Sequence, residues 1–211
     1  IRPYASDRLW LGDFGNVLVT YWDPIYRSPE SGCEVVGSVI QYAGGHGIDF
    51  TLWPLEHLSF FITNHSLPAE LDQGYTVLLD KDGLSAGLPP ASHQAFIPRP
   101  PSPSEFYKLV EDFYSDVPYV TKCLLRDELM PAKWVLDGDM RQPFLRQMLE
   151  WRVELDHDWK LAPGFLGKGL KKHLSSETWQ ALEQTYAGAD LEENWQAFFN
   201  LLQLFHQVGE Q

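Results

Sequence analysis

The chain has 211 residues, with 16 Lys and Arg against 29 Asp and Glu, a net charge of −13, and 44% hydrophobic residues. That length suits one large domain or two small ones with a real core, and 8 Trp, 9 Tyr and 12 Phe supply enough apolar area to exclude a disordered chain. The acidic balance argues against a general DNA or RNA binder, because phosphate backbones repel it, and it favours a cationic partner.

Cys33 and Cys123 are too far apart in sequence and too few to build a disulfide framework or a zinc ribbon. They read as two buried thiols in a reducing cytoplasm. No apolar run reaches the roughly 20 residues that a membrane-spanning helix needs. The opening Ile1-Arg2-Pro3-Tyr4 is neither a signal peptide nor a start, so the chain reads as part of a longer protein.

In chain order, Val17–Trp22 and Val35–Ile40 are rich in β-branched and aromatic residues and predict strands. Gly44-Gly45-His46-Gly47 leads into a third strand over 48–53, so the last two strands form a hairpin. Pro54 ends that strand and a helix follows over 55–63. Tyr75–Leu79 reads as a last short strand, closed by Asp80-Lys81-Asp82-Gly83.

Pro98-Arg99-Pro100-Pro101-Ser102-Pro103 stops both helix and strand and predicts a linker over 98–104. Beyond it the apolar period becomes helical. A helix capped by Ser104 carries Phe106, Leu109, Val110 and Phe113. A second run holds Val120, Leu124, Leu125, Leu129 and Ala132, with Pro131 kinking it. A third starts at Asp139 with Pro143 in its first turn, and two more cover about 176–187 and 190–207, the last opened by an Asp190–Glu193 capping box. The expectation is an α+β protein: a sheet domain over 1–97, the linker, and a helical bundle over 105–211.

Three places could hold chemistry. Asp49 alternates with Thr51 and Trp53 along its strand, and Ile48, Phe50 and Leu52 point the other way. An acid in so apolar a hairpin is exposed at an edge, paired, or bound to a metal. Gly164-Phe165-Leu166-Gly167-Lys168-Gly169-Leu170-Lys171-Lys172 has glycines that admit a ligand to the backbone and lysines that suit phosphates, although it is not a P-loop. A plain loop with a solvated basic face explains it equally well. Arg126-Asp127-Glu128 and Glu150-Trp151 lie in successive helical runs. Either Arg126 and Glu150 form a structural pair, or the carboxylates and Trp151 face a cationic ligand. The seven histidines show no zinc spacing, and neither a Gly-x-Ser-x-Gly elbow nor a dinucleotide fingerprint occurs.

Taken together, Ile48–Leu52 with Pro54 and Glu56, Leu78–Asp82, Pro89–Ser92, Glu105-Phe106, Arg126–Leu129, Met148–Trp151 and Gly167-Lys168 with Lys171 resemble the streptomycin (aminoglycoside 6-) adenylyltransferase family. That family lies within the DNA polymerase beta-like nucleotidyltransferases, whose catalytic domain has a mixed sheet. The resemblance implies transfer of AMP from ATP, with Mg²⁺, to a hydroxyl of a streptomycin-like drug, giving antibiotic resistance. It assigns Asp49 as base and metal ligand, and Gly167, Lys168 and Lys171 to the nucleotide phosphates. Glu150, Trp151 and Asp158 are its candidates for the cationic drug.

The family's first motif, a Gly-Ser turn and an Asp-x-Asp pair, has no equivalent in residues 1–30 and is expected upstream of Ile1. Phe165 and Pro131 also depart from the family pattern. The implied partners are ATP and an aminoglycoside, with no nucleic acid and no membrane. Two other readings explain part of the pattern: a degenerate nucleotide- or cation-binding module of the same fold, motivated by the absent carboxylate pair, and a glycan-binding protein using Trp and paired acids.

Overall fold

A computed structural model describes residues 1–210. The chain divides into two compact units, Ile1–Ala95 and Phe96–Gln211. The first holds four strands: β1 (Val17–Trp22), β2 (Tyr26–Arg27), β3 (Glu34–Tyr42) and β4 (Gly47–Leu52). β3 is central. It pairs with β1, β2 and β4, antiparallel in every case among the described residues. The α+β class holds, but the sheet is antiparallel where a mixed one was expected.

The strand boundaries follow the chemistry of their ends. Gly45, at φ 78°, makes the reversal between β3 and β4 that a side chain would resist. Pro54 closes β4 and caps α2 (Leu55–Thr63). Leu11, Ile40 and Tyr42 are buried against Trp10, Trp22, Ile48 and Phe50, forming a small core on one face of the sheet. A five-residue helix, α1 (Arg2–Ser6), precedes the sheet, and α3 (Ala69–Asp72) follows α2.

Tyr75–Leu79 is not a strand. Its composition suits one, but a strand also needs a neighbour to satisfy its backbone, and no described strand pairs with it. Leu78 is 93% exposed as a result. Asp72 instead organises the end of this unit. Its carboxylate accepts hydrogen bonds from Ser92 N, Ser92 Oγ, Gln94 N and Ala95 N, which hold its pKa down to about 2.

The second unit is helical: α4 (Pro103–Ser115), α5 (Val117–Leu125), α6 (Leu129–Lys133), α7 (Arg146–Asp156), α8 (Leu170–His173), α9 (Ser176–Glu183) and α10 (Leu191–Gly209). The cap of α4 is Ser102, not Ser104. Ser102 and Glu105 form a reciprocal capping box, with Pro103 in the first turn where its missing N–H costs nothing. Asp190 caps α10 by accepting from Glu193 N.

Two expectations around proline need correction. Pro131 does not kink a continuous helix. The chain breaks at Asp127 (φ 58°), and Pro131 sits in the first turn of α6. No helix starts at Asp139 either. Residues Trp134–Leu145 are π-helical and join α6 to α7 without a break, which places Pro143 inside a wide turn. Cys123 is buried as expected, whereas Cys33 is only half-buried.

One continuous core holds this unit. Phe113 stacks on Phe205 with ring centres 3.6 Å apart, and Leu124, Leu136, Met140, Leu145, Leu149, Phe198 and Leu201 are almost wholly buried around them. Among the described residues no helix is long and apolar enough to cross a membrane.

Candidate active site

β4 determines where the first unit can do chemistry. Its alternation turns Ile48 and Phe50 into the small core and turns Asp49 and Thr51 away from it. Asp49 stands opposite Val39 of β3. On this second face lies a cavity of about 700 Å³, walled by Asp49, Thr51, Trp53, Tyr26, Glu30 and His57, with Glu70 of α3 at its margin. Three carboxylates (Asp49, Glu30 and Glu70) and three large aromatic side chains (Tyr26, Trp53 and Phe61) thus line one cavity.

The turn after β2 is held by its own serines. Ser28 Oγ accepts from the backbone N–H of Glu30 and Ser31 and donates to Glu30 Oε2 at 2.6 Å. That hydroxyl holds the Glu30 carboxyl below the usual carboxylate range, so Glu30 is ionised at neutral pH. Ser31 Oγ accepts from Cys33 N and lies 2.6 Å from His57 Nδ1. His57 comes from α2, is only 4% exposed, and makes edge contacts with Trp53 and Phe61. Burial pushes its pKa below the ordinary histidine value, against a smaller opposing pull from Glu30.

His57 and Glu30 were not among the residues that the sequence singled out. His57 lacks zinc spacing to any other histidine. The signal that finds it is the four-residue spacing Trp53–His57–Phe61, which puts the imidazole on the buried face of α2.

The remaining predicted residues lie in the helical unit. A Cβ at Gly167 (φ 72°) would come within 2.7 Å of Leu170 Cδ1 and force that side chain to shift, in a backbone conformation that favours glycine. Gly167 lines a cavity of about 170 Å³ with Arg141, Arg146 and Tyr186. Arg141 is buried there and hydrogen-bonded to Asp137 and Thr185. Lys168 and Lys171 are exposed, and the Lys171 ammonium lies 5.0 Å from the centre of the Trp179 ring.

Glu150, Trp151 and Asp158 are not brought together. Glu150 is buried and pairs with Arg146, one turn earlier in α7, at 2.6 Å. The interhelical pair with Arg126 does not form; Arg126 is exposed at the end of α5. Trp151 packs beside Phe106 in an apolar recess with Trp159 and Met148. Asp158 is exposed on a turn at φ 53°.

No three His, Cys, Asp or Glu side chains converge on a common point among the described residues. The described residues therefore do not fit a resident metal ion held by protein groups alone; of the two strand carboxylates, Glu34 is paired with Arg2, and Asp49 is the one on the cavity wall.

The family model described as streptomycin adenylyltransferase matches residues 1–211. The chain belongs to that family. Among curated relatives of this adenylyltransferase, the aminoglycoside 6-adenylyltransferase of Bacillus subtilis (strain 168) is 29% identical, covering 100% of this chain and 72% of the relative. The enzyme of the same name from Campylobacter jejuni is 25% identical, over 99% of this chain and 69% of its own length. A crystal structure of an aminoglycoside 6-adenyltransferase from Bacillus subtilis matches 100% of this chain and 75% of that one, with a TM-score of 0.50 and 24% identity, a likeness of fold. The chain spans about seven tenths of the length of the curated relatives it matches.

Proposed function

We propose that this chain transfers AMP from ATP to a hydroxyl group of a streptomycin-like aminoglycoside and releases pyrophosphate. The observation that carries the reading is the seat of Asp49, a strand carboxylate turned away from the core onto the wall of an acidic, aromatic cavity large enough for a small ligand. Family membership and the relatives' names support the reaction and the drug class.

The cavity's carboxylates suit a substrate rich in ammonium and guanidinium groups, and the net charge of −13 draws such a polycation in. Asp49 takes the proton of the drug hydroxyl. The oxygen then bonds to the α-phosphorus, and the bond from that phosphorus to the β-phosphate bridging oxygen breaks. Pyrophosphate leaves with the electron pair, and Asp49 returns its proton to solvent. Mg²⁺ enters with ATP as part of that substrate, since this ion is commonly held by one or two carboxylates together with phosphates.

Gly167, Lys168 and Lys171 are the groups offered to the nucleotide phosphates, through close backbone approach and point charge. Glu150 and Trp151 are already committed to an ion pair and to packing, so they are weaker candidates for the drug than Glu30 and Glu70. Adenylylation of the drug gives the host resistance, and the ATP-rich cytoplasm is the compartment that suits the reaction.

The test is product analysis. With ATP, Mg²⁺ and streptomycin, the chain is expected to release pyrophosphate and to make streptomycin heavier by one AMP in a mass spectrum. A neutral oligosaccharide is expected to give neither product. Streptomycin binding without any AMP product overturns the transferase reading in favour of a binding module.

A further inference from the structure

Two features of the Asp49 cavity are independent of its acids. One is a histidine that lines it while being only 4% exposed. The other is the hydroxyl behind that histidine. Ser31 Oγ already accepts the Cys33 N–H, so its own proton is available for the ring nitrogen 2.6 Å away. A ring that accepts at Nδ1 carries its proton on Nε2 when neutral. Among the described residues Nε2 has no hydrogen-bond partner, and it is absent from the fully buried unpaired atoms, so it keeps accessible surface on a residue that lines the cavity.

We infer that His57 is a substrate-positioning residue: Ser31 fixes its tautomer, and its Nε2–H donates to a hydroxyl oxygen of the aminoglycoside beside Asp49. This rests on the reading of the Asp49 cavity as the site of transfer.

The chemistry selects that ligand over the alternatives. Glu30, Asp49 and Glu70 accept hydrogen bonds from cationic nitrogen, whereas a nucleotide phosphate comes beside them only as its Mg²⁺ complex. None of them, when ionised, donates to an oxygen. A drug carrying hydroxyls as well as cations presents oxygens that need a donor, and the imidazole N–H supplies it on the same wall. Trp53 and Phe61, whose own ring centres lie 5.7 Å apart, both pack edge-on against the imidazole and hold it in place. A donor fixed this way narrows the poses in which the attacking hydroxyl meets its base, which is the usual value of a positioning group.

The test uses the whole chain with streptomycin as probe. The ¹⁵N shifts of His57 are expected to report an Nε2–H tautomer, and saturating streptomycin is expected to move the Nε2–H resonance. His57→Phe keeps an aromatic ring packed against Trp53 and Phe61 but removes the donor. It is expected to lower kcat/KM for streptomycin about tenfold, as for one lost hydrogen bond to a well-placed group, and to leave KM for ATP unchanged. His57→Gln, which restores an N–H near the same position, is expected to recover most of the loss.

A merely structural histidine predicts the opposite pattern, with Phe tolerated and Gln harmful. The inference is overturned if folded His57→Phe keeps full kcat/KM, or if streptomycin leaves the Nε2–H resonance unmoved. Asp49→Asn separates the two layers. If that variant loses turnover while His57→Phe does not, the inference alone falls. If Asp49→Asn keeps full turnover, the cavity reading falls and this inference with it.

Discussion

The two units spend their apolar residues differently. The helical unit gathers 19 buried residues into one cluster, whereas the sheet's cluster has three, Leu11, Ile40 and Tyr42. β1 is exposed at five of its six positions, and Val17, Leu18, Val19 and Tyr21 all lie open on it. What the sheet has in place of a large core is a cavity of about 700 Å³ with acids, aromatics and a buried histidine on its wall. Dense packing and a ligand-sized cavity compete for the same interior volume. The helical unit thus closes its interior into one packed core, and the sheet unit leaves room for a ligand.

Damage to the dense side has the largest expected effect. Phe113 is fully buried and stacked on Phe205. Phe113→Ala is expected to cost about 3–5 kcal/mol, the usual price of emptying an aromatic core site. Denaturant unfolding followed by residue-resolved amide exchange checks this. Accelerated exchange throughout residues 96–210 is expected, and a loss under 1 kcal/mol contradicts the single-core description.

A smaller effect separates the units by pH. His57 binds its proton less readily folded than unfolded, so its contribution to stability is full above about pH 6.5 and falls as acid titrates the ring. In the helical unit the sign reverses. Burial raises the pKa of Glu154 and Asp116, so these two groups take up protons more readily in the fold. Their contribution is full below about pH 4 and is lost as pH rises through the folded values. Between pH 7 and 5 the amides of the sheet unit are therefore expected to lose protection while those around α7 hold or gain it. Parallel slopes in the two units would contradict these assignments.

How much was legible in the sequence divides along the same line. β1 and α2 were readable to the residue, because β-branched runs and Pro54 act locally. The outward placement of Asp49 was equally readable, since strand alternation depends on its neighbours alone. Tyr75–Leu79 was misjudged because its strand-like composition says nothing about whether a partner strand is in reach. The π-helical stretch hid its continuity, since Asp139 and Pro143 mimic the start of a new helix when a period of 3.6 is assumed. The Ser31–His57 contact joins residues 26 apart in sequence, and only the fold brings them together.

The central claim is that transfer takes place at Asp49. Its most direct test is the rate of pyrophosphate release from ATP and streptomycin by Asp49→Asn beside the unaltered chain, with both melting curves recorded. The expected result is unchanged melting and a rate lower by about 10²–10⁴-fold, the usual contribution of a positioned base. A folded Asp49→Asn chain that turns over at the unaltered rate contradicts the account.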